Sequence, residues 1–470
     1  MLWQPSLPEA YRRLSSADLA LAISRARQIL GQSLVILGHH YQADEVIRHA
    51  DVTGDSLKLS QIAAGLREKQ PVAYVIFCGV HFMAETADML TPDDVAVILP
   101  DLSAGCSMAD MAQYDDALDA WTRIHDSLNE SHADQVASRG TPATADANWF
   151  GRVIPITYVN SSAAIKAFVG DHGGACCTSS NAKHVLAWAF AGGTMPPRTK
   201  AAGQTEKIQT EEIQTEEIKV LFLPDQHLGR NTAHALGVDV AKHACLYDPK
   251  RSRAGDLLGG STAQQIQDAK VILWAGHCSV HKLFRPEHCD QVRARAEGTQ
   301  ILVHPECAKE VVDLADLNGS TEFIINTIRA AKPGTKWAVG TEVHLVARLA
   351  KEAAARDIHV AILSDCQCLC TTMYRIDEPH LLWVLDHLTG DSQGRLPAKL
   401  DGKPLVINQV RVHPEARAKA LLSIDRMLSI TVASAANAAS NAASSSQNKV
   451  NGGLKPPPTS LQSLRMVEVD

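Results

Sequence analysis

Three cysteines of this chain occupy corresponding positions in repeated stretches of sequence. Two stretches fit the pattern Ile-Leu-x-Asp-x-x-x-x-Cys, which ends at Cys106 in the first and at Cys370 in the second. A third begins with the apolar run 271–274 and ends at Cys278. Three equivalent thiols predict metal ligation. Because a closed structural zinc site takes four ligands, three thiolates favour a 4Fe-4S cluster with one iron free. Such an iron is a Lewis acid, so the pattern indicates dehydration or condensation rather than electron transfer.

Two further cysteines, Cys366 and Cys368, precede Cys370 and form a competing group of thiols. The repeat alignment selects Cys370, because it alone lies eight residues after the isoleucine, as Cys106 does. We therefore predict that Cys366 and Cys368 are not ligands, with a disulfide switch near the ligand as the alternative. Any single cysteine is most often a small buried apolar residue, so the prediction depends on three aligned positions.

Pairs of polar side chains follow three short apolar runs that are typical of buried strands. The pairs are His39 and Tyr41, Tyr158 and Asn160, and His304 and Glu306. Side chains two positions apart in a strand lie on the same face, so each pair shares one side of a strand end. Glu306 beside His304 offers a general base and Tyr41 offers a phenolic acid. A lone histidine in a strand usually has only a structural role, and this is the alternative interpretation of His39 and of His304.

A hydroxyl residue stands in the corresponding loop of each repeat, near the start of a helical stretch. These residues are Ser56, Ser179 and Thr321. Each is most simply part of a helix N-cap. Three of them at one edge have a further use, because exposed N–H groups and the positive end of a helix bind phosphate or carboxylate. We therefore expect a small polyanionic substrate.

The spacing between these landmarks repeats along the chain. His39 precedes Cys106 by 67 positions, and His304 precedes Cys370 by 66. Strands alternating with helices predict an α/β fold of three pseudo-threefold-related α/β/α sandwich units with parallel sheets. Ligands of such sheets bind beyond the carboxyl ends of the strands, so we expect the three edges to surround a central active site.

The repeats also set the predicted domain boundaries. A helical segment precedes the three units, and the second unit carries an acidic, solvated insertion and a loop rich in glycine and arginine. The tail is rich in alanine, serine and asparagine and is predicted to be disordered. The ranges are 1–30 for the N-terminal segment, 31–125, 150–295 and 296–388 for the units, 195–219 and 247–265 for the insertions, 389–430 for a C-terminal extension and 433–470 for the tail.

Composition and charge exclude several classes of protein. The 470 residues are enough for about three domains. The 45 basic and 52 acidic residues give a net charge of −7, too evenly spread for a nucleic-acid partner. No apolar run approaches the ~20 residues of a membrane span, and the start lacks a signal-peptide pattern. We therefore expect a cytoplasmic protein, in which eleven cysteines are not a disulfide framework.

Nine motifs in order resemble those of the quinolinate synthases, the A protein of NAD biosynthesis, over roughly residues 30–425. The motifs are Gly38-His-His-Tyr-Gln42, Gly54-Asp-Ser56, Tyr158-Val-Asn-Ser-Ser-Ala163, Thr178-Ser-Ser-Asn-Ala182, Leu223-Pro-Asp-Gln-His-Leu-Gly229, Trp274-x-Gly-x-Cys278-x-Val-His281, His304-Pro-Glu306, Gly319-Ser-Thr321 and Cys370-x-x-Met373. Each motif alone is weak, whereas nine in sequence order are specific.

The resemblance implies a triangular enzyme of three α/β/α domains with an oxygen-sensitive 4Fe-4S cluster. In that family iminoaspartate (iminosuccinate) condenses with dihydroxyacetone phosphate to give quinolinate, phosphate and water. An L-aspartate oxidase or an aspartate dehydrogenase is the expected source of the imine. The implied cluster ligands are Cys106, Cys278 and Cys370; the implied substrate contacts are His39, Ser56, Tyr158, Asn160, Ser179, His304, Glu306 and Thr321; and the implied acid–base residues are Tyr41 and Glu306, with His281 in support.

Three other classes fit the sequence less well. Another iron–sulfur hydro-lyase shares the three-thiol cluster but needs a hydroxy-acid site instead of a phosphate site. An iron–sulfur sensor or carrier needs an exposed cluster and a partner surface, whereas the polar residues here are predicted to face inward. A radical S-adenosylmethionine enzyme is disfavoured, because Cys-x-x-x-Cys-x-x-Cys does not occur.

Overall fold

Three sheets of mostly parallel strands form the framework of the protein. The computed structural model describes residues 4–69, 71–138, 149–193, 216–365 and 368–450. The central strands are apolar runs whose residues are almost all buried. Such runs are typical of parallel sheets, because helices cover both faces of the sheet and each face must then be apolar. The predicted α/β fold of three parallel units is confirmed.

The first sheet follows an N-terminal helical segment. The elements up to residue 98 are α1 (Glu9–Arg12), α2 (Ser16–Leu30), β1 (Leu34–His39), α3 (Asp44–Ile47), β2 (Val52–Gly54), α4 (Ser56–Lys69), β3 (Tyr74–Cys78), α5 (His81–Leu90) and β4 (Ala96–Ile98). The strand order is β2-β1-β3-β4, and all three pairings are parallel. His39 therefore ends a central strand, and Ser56 begins the helix that follows the edge strand.

The second sheet has one more parallel strand. The elements between residues 114 and 274 are α6 (Tyr114–Ser138), β5 (Gly151–Tyr158), α7 (Ala163–Asp171), β6 (Ala175–Cys177), α8 (Ala182–Phe190), β7 (Glu217–Leu223), α9 (Gln226–Ala235), α10 (Val240–His243), β8 (Ala244–Tyr247), α11 (Pro249–Arg253), α12 (Ala263–Asp268) and β9 (Val271–Trp274). The order is β6-β5-β7-β9-β8. The additional strand β8 lies at the edge, so it leaves the common part of the sheet unchanged.

The third sheet is the simplest of the three. The elements between residues 286 and 362 are α13 (Pro286–Arg295), β10 (Thr299–Val303), α14 (Lys309–Leu314), β11 (Leu317–Asn318), α15 (Thr321–Ala330), β12 (Lys336–Gly340), α16 (Val343–Ala354) and β13 (His359–Ile362). The order β11-β10-β12-β13 matches β2-β1-β3-β4 and β6-β5-β7-β9 strand for strand. The predicted triplication of one supersecondary unit is therefore present in the fold.

Three C-terminal elements pack on the earlier units. They are α17 (Glu378–Thr389), β14 (Gln409–Val410) and α18 (Pro414–Val450). Helix α17 packs against α2, β14 pairs antiparallel with β4, and α18 packs against α7 and β6. The C-terminal extension thus joins the first unit to the second. The predicted third unit, which ends at 388, therefore includes most of α17, although this helix packs against α2 and α3.

Two of the predicted ranges differ from the structure in their helices. Helix α6 crosses the predicted end of the first unit at 125 and contributes to the core of the second. The predicted loop at 247–265 contains α11 and the start of α12. Asp248 caps α11 and is followed by a proline, and Thr262 forms a capping box with the third residue of α12. These signals for the start of a helix predict the structure better than the glycine and arginine content, which indicated a loop.

The acidic insertion and the tail also differ in part. Residues 217–219 of the predicted insertion begin β7, and 195–215 lie outside the described residues. Helix α18 continues through 433–450, so the predicted disorder is wrong for that stretch. Alanine is the strongest helix former, and a run rich in it extends a helix that has already begun. Residues 451–470 lie outside the described part.

In the part of the chain that the structure describes, no helix combines the length and apolar character needed to cross a membrane.

Candidate active site

The carboxyl ends of the strands in the three sheets surround one cavity. Its wall comes from the residues after each central strand, from the hydroxyl loops and from the loops that close each unit. It includes His39, Tyr41, Ser56, Cys106, Tyr158, Asn160, Ser179, Cys278, His304, Glu306, Thr321 and Cys370. The structure thus brings together every residue implied as ligand, substrate contact or acid–base group. Their individual roles stay predictions.

The three cysteines on this wall have the same backbone surroundings. In each unit the cysteine carbonyl accepts a hydrogen bond from the N–H four residues later: from Asp110 to Cys106 (3.0 Å), from Lys282 to Cys278 (3.1 Å) and from Tyr374 to Cys370 (3.0 Å). Each sulfur also accepts the N–H three residues later, where a short 3₁₀ turn begins. N–H groups directed at a sulfur stabilise its thiolate. The same ligand loop therefore occurs three times.

Burial governs the ionisation of these thiols. Burial raises the pKa of Cys106 to about 12 and also raises the pKa of Cys278 and of Cys370. The negative charge of Cys370 contributes to the raised pKa of both other thiols, so the three sulfurs interact electrostatically. A metal ion displaces the proton of such a thiol when it binds. Three sulfurs on one cavity wall fit the protein ligands of an open 4Fe-4S cluster.

The neighbouring thiols do not share this position. Cys368 is buried in the core of the third unit, with its Sγ 3.2 Å from Oγ of Ser364, and it is not part of the cavity wall. Cys366 lies outside the described residues. This placement supports Cys370 as the third ligand.

Three potential ligands of a single metal ion also lie close together beside this cavity. Within the described residues, Cys278, His281 and Glu306 bring one ligand atom each to within 4.8 Å of one another. One thiolate, one imidazole and one carboxylate suit a single divalent ion such as zinc. Iron and sulfide analysis separates this arrangement from a cluster.

The two cavity histidines are neutral hydrogen-bond partners. The N–H of Tyr41 donates to Nδ1 of His39 (3.2 Å), and the N–H of Glu306 donates to Nδ1 of His304 (3.3 Å). Since Nδ1 accepts a hydrogen bond in both rings, the N–H proton of each neutral imidazole is on Nε2. Burial lowers the pKa of His39 and of His304 to about 3, so neither ring is charged near neutral pH. Both are placed to donate to an anionic ligand without a charge of their own.

Glu306 is one of two carboxylates on the cavity wall, the other being Asp55. Its Oε2 lies 2.6 Å from Nδ1 of His281, and the Tyr158 hydroxyl also hydrogen-bonds to it. Burial alone would raise the pKa of Glu306, but His281 and these hydrogen bonds lower it below the ordinary value. Glu306 is therefore ionised and able to accept a proton, as a general base must be.

The hydroxyl loops are not equivalent as anion sites. Asp55 caps α4, because its Oδ1 accepts the N–H of Lys58 (2.9 Å), and its carboxylate lines the cavity beside Ser56. That charge opposes a second anion at α4. Thr321 begins α15, and Ser179 lies before α8, without a carboxylate at either cap. The Asp55 carboxylate also accepts a hydrogen bond from Oγ of Ser180 (3.2 Å), so its charge lies beside the loop of Ser179 as well, and Ser56 stays a predicted substrate contact with Ser179 and Thr321.

Comparison with known proteins assigns the chain to a family. The sequence profile described as "Quinolinate synthetase A protein" matches residues 22–196 and 200–429. The chain belongs to the quinolinate synthetase A family. The resemblance predicted from the motifs is thereby confirmed, and the protein is an enzyme of NAD biosynthesis by family.

Relatives named quinolinate synthase match nearly the whole chain. The one from Acidobacterium capsulatum is 46% identical over 415 residues, which cover 88% of this chain and 93% of the relative. The one from Streptomyces coelicolor is 45% identical over 417 residues, 88% of this chain and 89% of the relative. The one from Bacillus subtilis is 43% identical over 425 residues, 90% of this chain and 96% of the relative.

This member of the quinolinate synthetase A family has a buried chain of polar contacts that sequence reasoning missed. The Tyr41 hydroxyl is 2.9 Å from Oγ1 of Thr341, which is 3.2 Å from Nε2 of His281. The other nitrogen of His281 contacts Glu306, so Tyr41 and Glu306 are joined through two buried residues. Thr341 follows the third strand of its unit, as Asp225 follows β7. That equivalence was the available signal.

Asp225 has a positioning role that was also missed. It is completely buried, and its Oδ1 caps α9 by accepting the N–H of Leu228 (2.7 Å). Its Oδ2 accepts the N–H of Cys278 (3.2 Å), so one carboxylate holds both a helix start and a ligand loop. Asp225 belongs to the motif that begins at Leu223, but nothing in the spacing of that motif predicts this contact.

Thr341→Val tests the buried chain. Valine keeps the shape of threonine but removes the hydroxyl between Tyr41 and His281, so we expect kcat to fall about 10- to 100-fold while KM changes little. Thr86→Val is the control, because the Thr86 hydroxyl is equally buried but bonds only to its own helix, at Phe82. Steady-state kinetics of both variants checks this. Equal kcat values in the two would mean that Thr341 only fills space.

Proposed function

We propose that this enzyme condenses iminoaspartate with dihydroxyacetone phosphate to quinolinate, phosphate and water, with a 4Fe-4S cluster on Cys106, Cys278 and Cys370. Family membership supports the product. The single observation that supports the cofactor is the loop that occurs three times. In each copy the cysteine has the same backbone hydrogen bond, and all three cysteines line one cavity.

The donor set suits this group. Three cysteines and no fourth are found on the described wall of the cavity, which leaves one iron without a protein ligand. When bound, such an iron supplies a Lewis acid that polarises a hydroxyl group and assists its loss as water. The remaining steps fall to the side chains of the chain itself.

Neutral donors are proposed to hold the substrate carboxylates and phosphate. His39 and His304 donate from Nε2, and Ser179 and Thr321 donate from their hydroxyl groups at helix starts. Asn160 has a buried Oδ1 without a hydrogen-bond partner in the described part of the chain. A buried acceptor without a partner is costly, so we expect a ligand N–H or O–H to fill it. The imine nitrogen or a substrate hydroxyl has that chemistry.

Proton transfer is proposed for Glu306 and Tyr41. Glu306 is ionised and accepts a proton from carbon or nitrogen as the carbon–carbon bond forms and the ring becomes aromatic. Burial and the nearby Glu306 charge raise the pKa of Tyr41, so its hydroxyl stays protonated and donates to a leaving oxygen. The buried chain through Thr341 and His281 allows the proton to be exchanged between the two.

The imine is proposed to come from another enzyme, an L-aspartate oxidase or an aspartate dehydrogenase. An imine hydrolyses in water, so its supply must be close in time to its use.

The test is product formation by the anaerobically reconstituted protein. With the imine generated in the same vessel and dihydroxyacetone phosphate added, we expect quinolinate and an equal amount of phosphate. Glyceraldehyde 3-phosphate in place of the ketone is the matched control, since it carries the same phosphate on an aldehyde. Release of phosphate without quinolinate, or no reaction of a fully loaded protein, would reject the proposed substrates.

A further inference from the structure

Lys166 is a fully buried lysine that the proposed chemistry does not use. It lies on α7 with none of its surface exposed. Its Nζ donates to the carbonyl of Ser161 and lies over the ring of Phe82, 5.5 Å from the ring centroid. Among the described residues, no carboxylate is within 4.0 Å of it. An ammonium group has three protons to donate, so this buried charge is only partly compensated by the protein.

Lys219 shows what a compensated buried lysine looks like in the same unit. It is 1% exposed. Its Nζ donates to Oε1 of Glu217 (2.7 Å), to the carbonyl of Gln267 (2.6 Å) and to that of Ala269 (3.1 Å). The contrast indicates that the charge of Lys166 has another purpose than filling the core.

Lys166 lies behind the wall of the cavity on the side of Cys106. The Phe82 ring that it contacts lines the same cavity as Cys106. The start of α5, which carries Phe82, is tied to the loop of Cys106, because the N–H of His81 donates to the carbonyl of Ala104 (2.8 Å). The ammonium group and the sulfur are therefore held by connected elements.

The groups around Lys166 are acids or neutral. Burial lowers the pKa of Lys166, while Cys176, Glu85 and Cys106 act in the opposite direction. Cys176 is a thiol whose Sγ lies 3.2 Å from Oγ of Ser423, and the Glu85 carboxylate accepts the N–H of Ala163 at the start of α7. Neither forms an ion pair with the lysine. The thiolate of Cys106, once it holds metal, is a permanent negative charge in this region.

We infer that Lys166 is a charge-balancing residue: a buried cation, behind Phe82, that stabilises the negative charge of the cluster held through Cys106. This inference rests on the proposed 4Fe-4S cofactor. A cluster with three thiolates has net negative charge, which increases when it is reduced. Removing a nearby buried cation should therefore make reduction harder and weaken retention of the cluster.

The experiment uses Lys166→Met and Lys166→Gln in the full-length protein, reconstituted anaerobically. Lys166→Gln keeps an N–H donor for the Ser161 carbonyl but has no charge, so it separates charge from hydrogen bonding. Lys219→Met is the matched control, a buried lysine of the same unit outside the cavity. Lys166→Arg restores the charge. The readouts are the midpoint potential, followed by electron paramagnetic resonance during a redox titration, and the rate at which a chelator removes iron.

We expect both uncharged variants to shift the midpoint potential to more negative values and to lose iron several-fold faster. Lys219→Met should match the wild type, and Lys166→Arg should move back toward it. If Lys166→Met fails to fold, Lys166→Gln decides. If Lys166→Gln has the midpoint potential and the rate of iron loss of the wild type, the inference is overturned. A change in KM alone would not rescue it, because that result would mean that Lys166 only anchors the loop of Tyr158 and Asn160. A wild-type protein without iron would instead reject the cofactor and this inference with it.

Discussion

Cys370→Ala is expected to abolish the brown cluster absorbance of the reconstituted protein. Cys370 supplies one of three sulfurs on the cavity wall, and loss of one thiolate leaves too few ligands to hold the cluster. The same result is expected for Cys106→Ala and Cys278→Ala, because all three loops have the same geometry. Visible absorbance, with iron and sulfide content, measures the effect.

Cys368→Ala is the matched control for this prediction. Cys368 lies two residues from Cys370 and is buried in the core of the third unit away from the cavity wall. Its variant should keep the cluster, with at most the modest stability loss of a small core truncation. Retained colour in Cys370→Ala together with lost colour in Cys368→Ala would show that the repeat alignment chose the wrong thiol.

Glu306→Gln is expected to keep the cluster and lose about 10²- to 10⁴-fold in kcat. The amide has the size of the carboxylate but cannot accept the proton, and it removes the negative charge that lies 2.6 Å from Nδ1 of His281. Because Glu306 is not a ligand in the three-thiol arrangement, iron and sulfide should match the wild type. Single-turnover quinolinate formation and metal analysis on one sample check both parts.

Glu310→Gln controls for the change of charge. Glu310 lies four residues later, exposed in the first turn of α14. It should be as active as the wild type. An active Glu306→Gln would remove Glu306 from the base role. Loss of metal in the same variant would instead favour the single-ion arrangement with Cys278 and His281.

The sequence predicted the topology because each unit repeats one spacing. In every unit a central parallel strand brings a polar pair to the same sheet edge, and the closing strand leads into the loop that carries the thiol. Cys106 and Cys370 lie at the same number of residues after corresponding strands, so they occupy corresponding positions in the two folded units. Aligned spacing predicts position well when the intervening strands are buried, since a register shift would expose apolar side chains.

The residues that sequence missed act through contacts with residues far away along the chain. Thr341 belongs to the third unit, yet it matters because Tyr41 of the first unit reaches it at 2.9 Å. Asp225 matters because it bonds a backbone group 53 residues away, at Cys278. Threonine and aspartate are common after strands, so spacing within one unit does not distinguish these two from ordinary caps. The packing of α17 and α18 on other units was also not predicted, because it too depends on contacts between residues far apart in the sequence.

Iron and acid-labile sulfide content of the anaerobically prepared wild-type protein tests the central claim most directly. If the three repeated loops hold one cluster, the protein should contain about four iron atoms and four sulfides per chain, and all should be lost together in Cys106→Ala, Cys278→Ala and Cys370→Ala. One divalent ion per chain without sulfide, retained in Cys106→Ala and Cys370→Ala, would contradict the account.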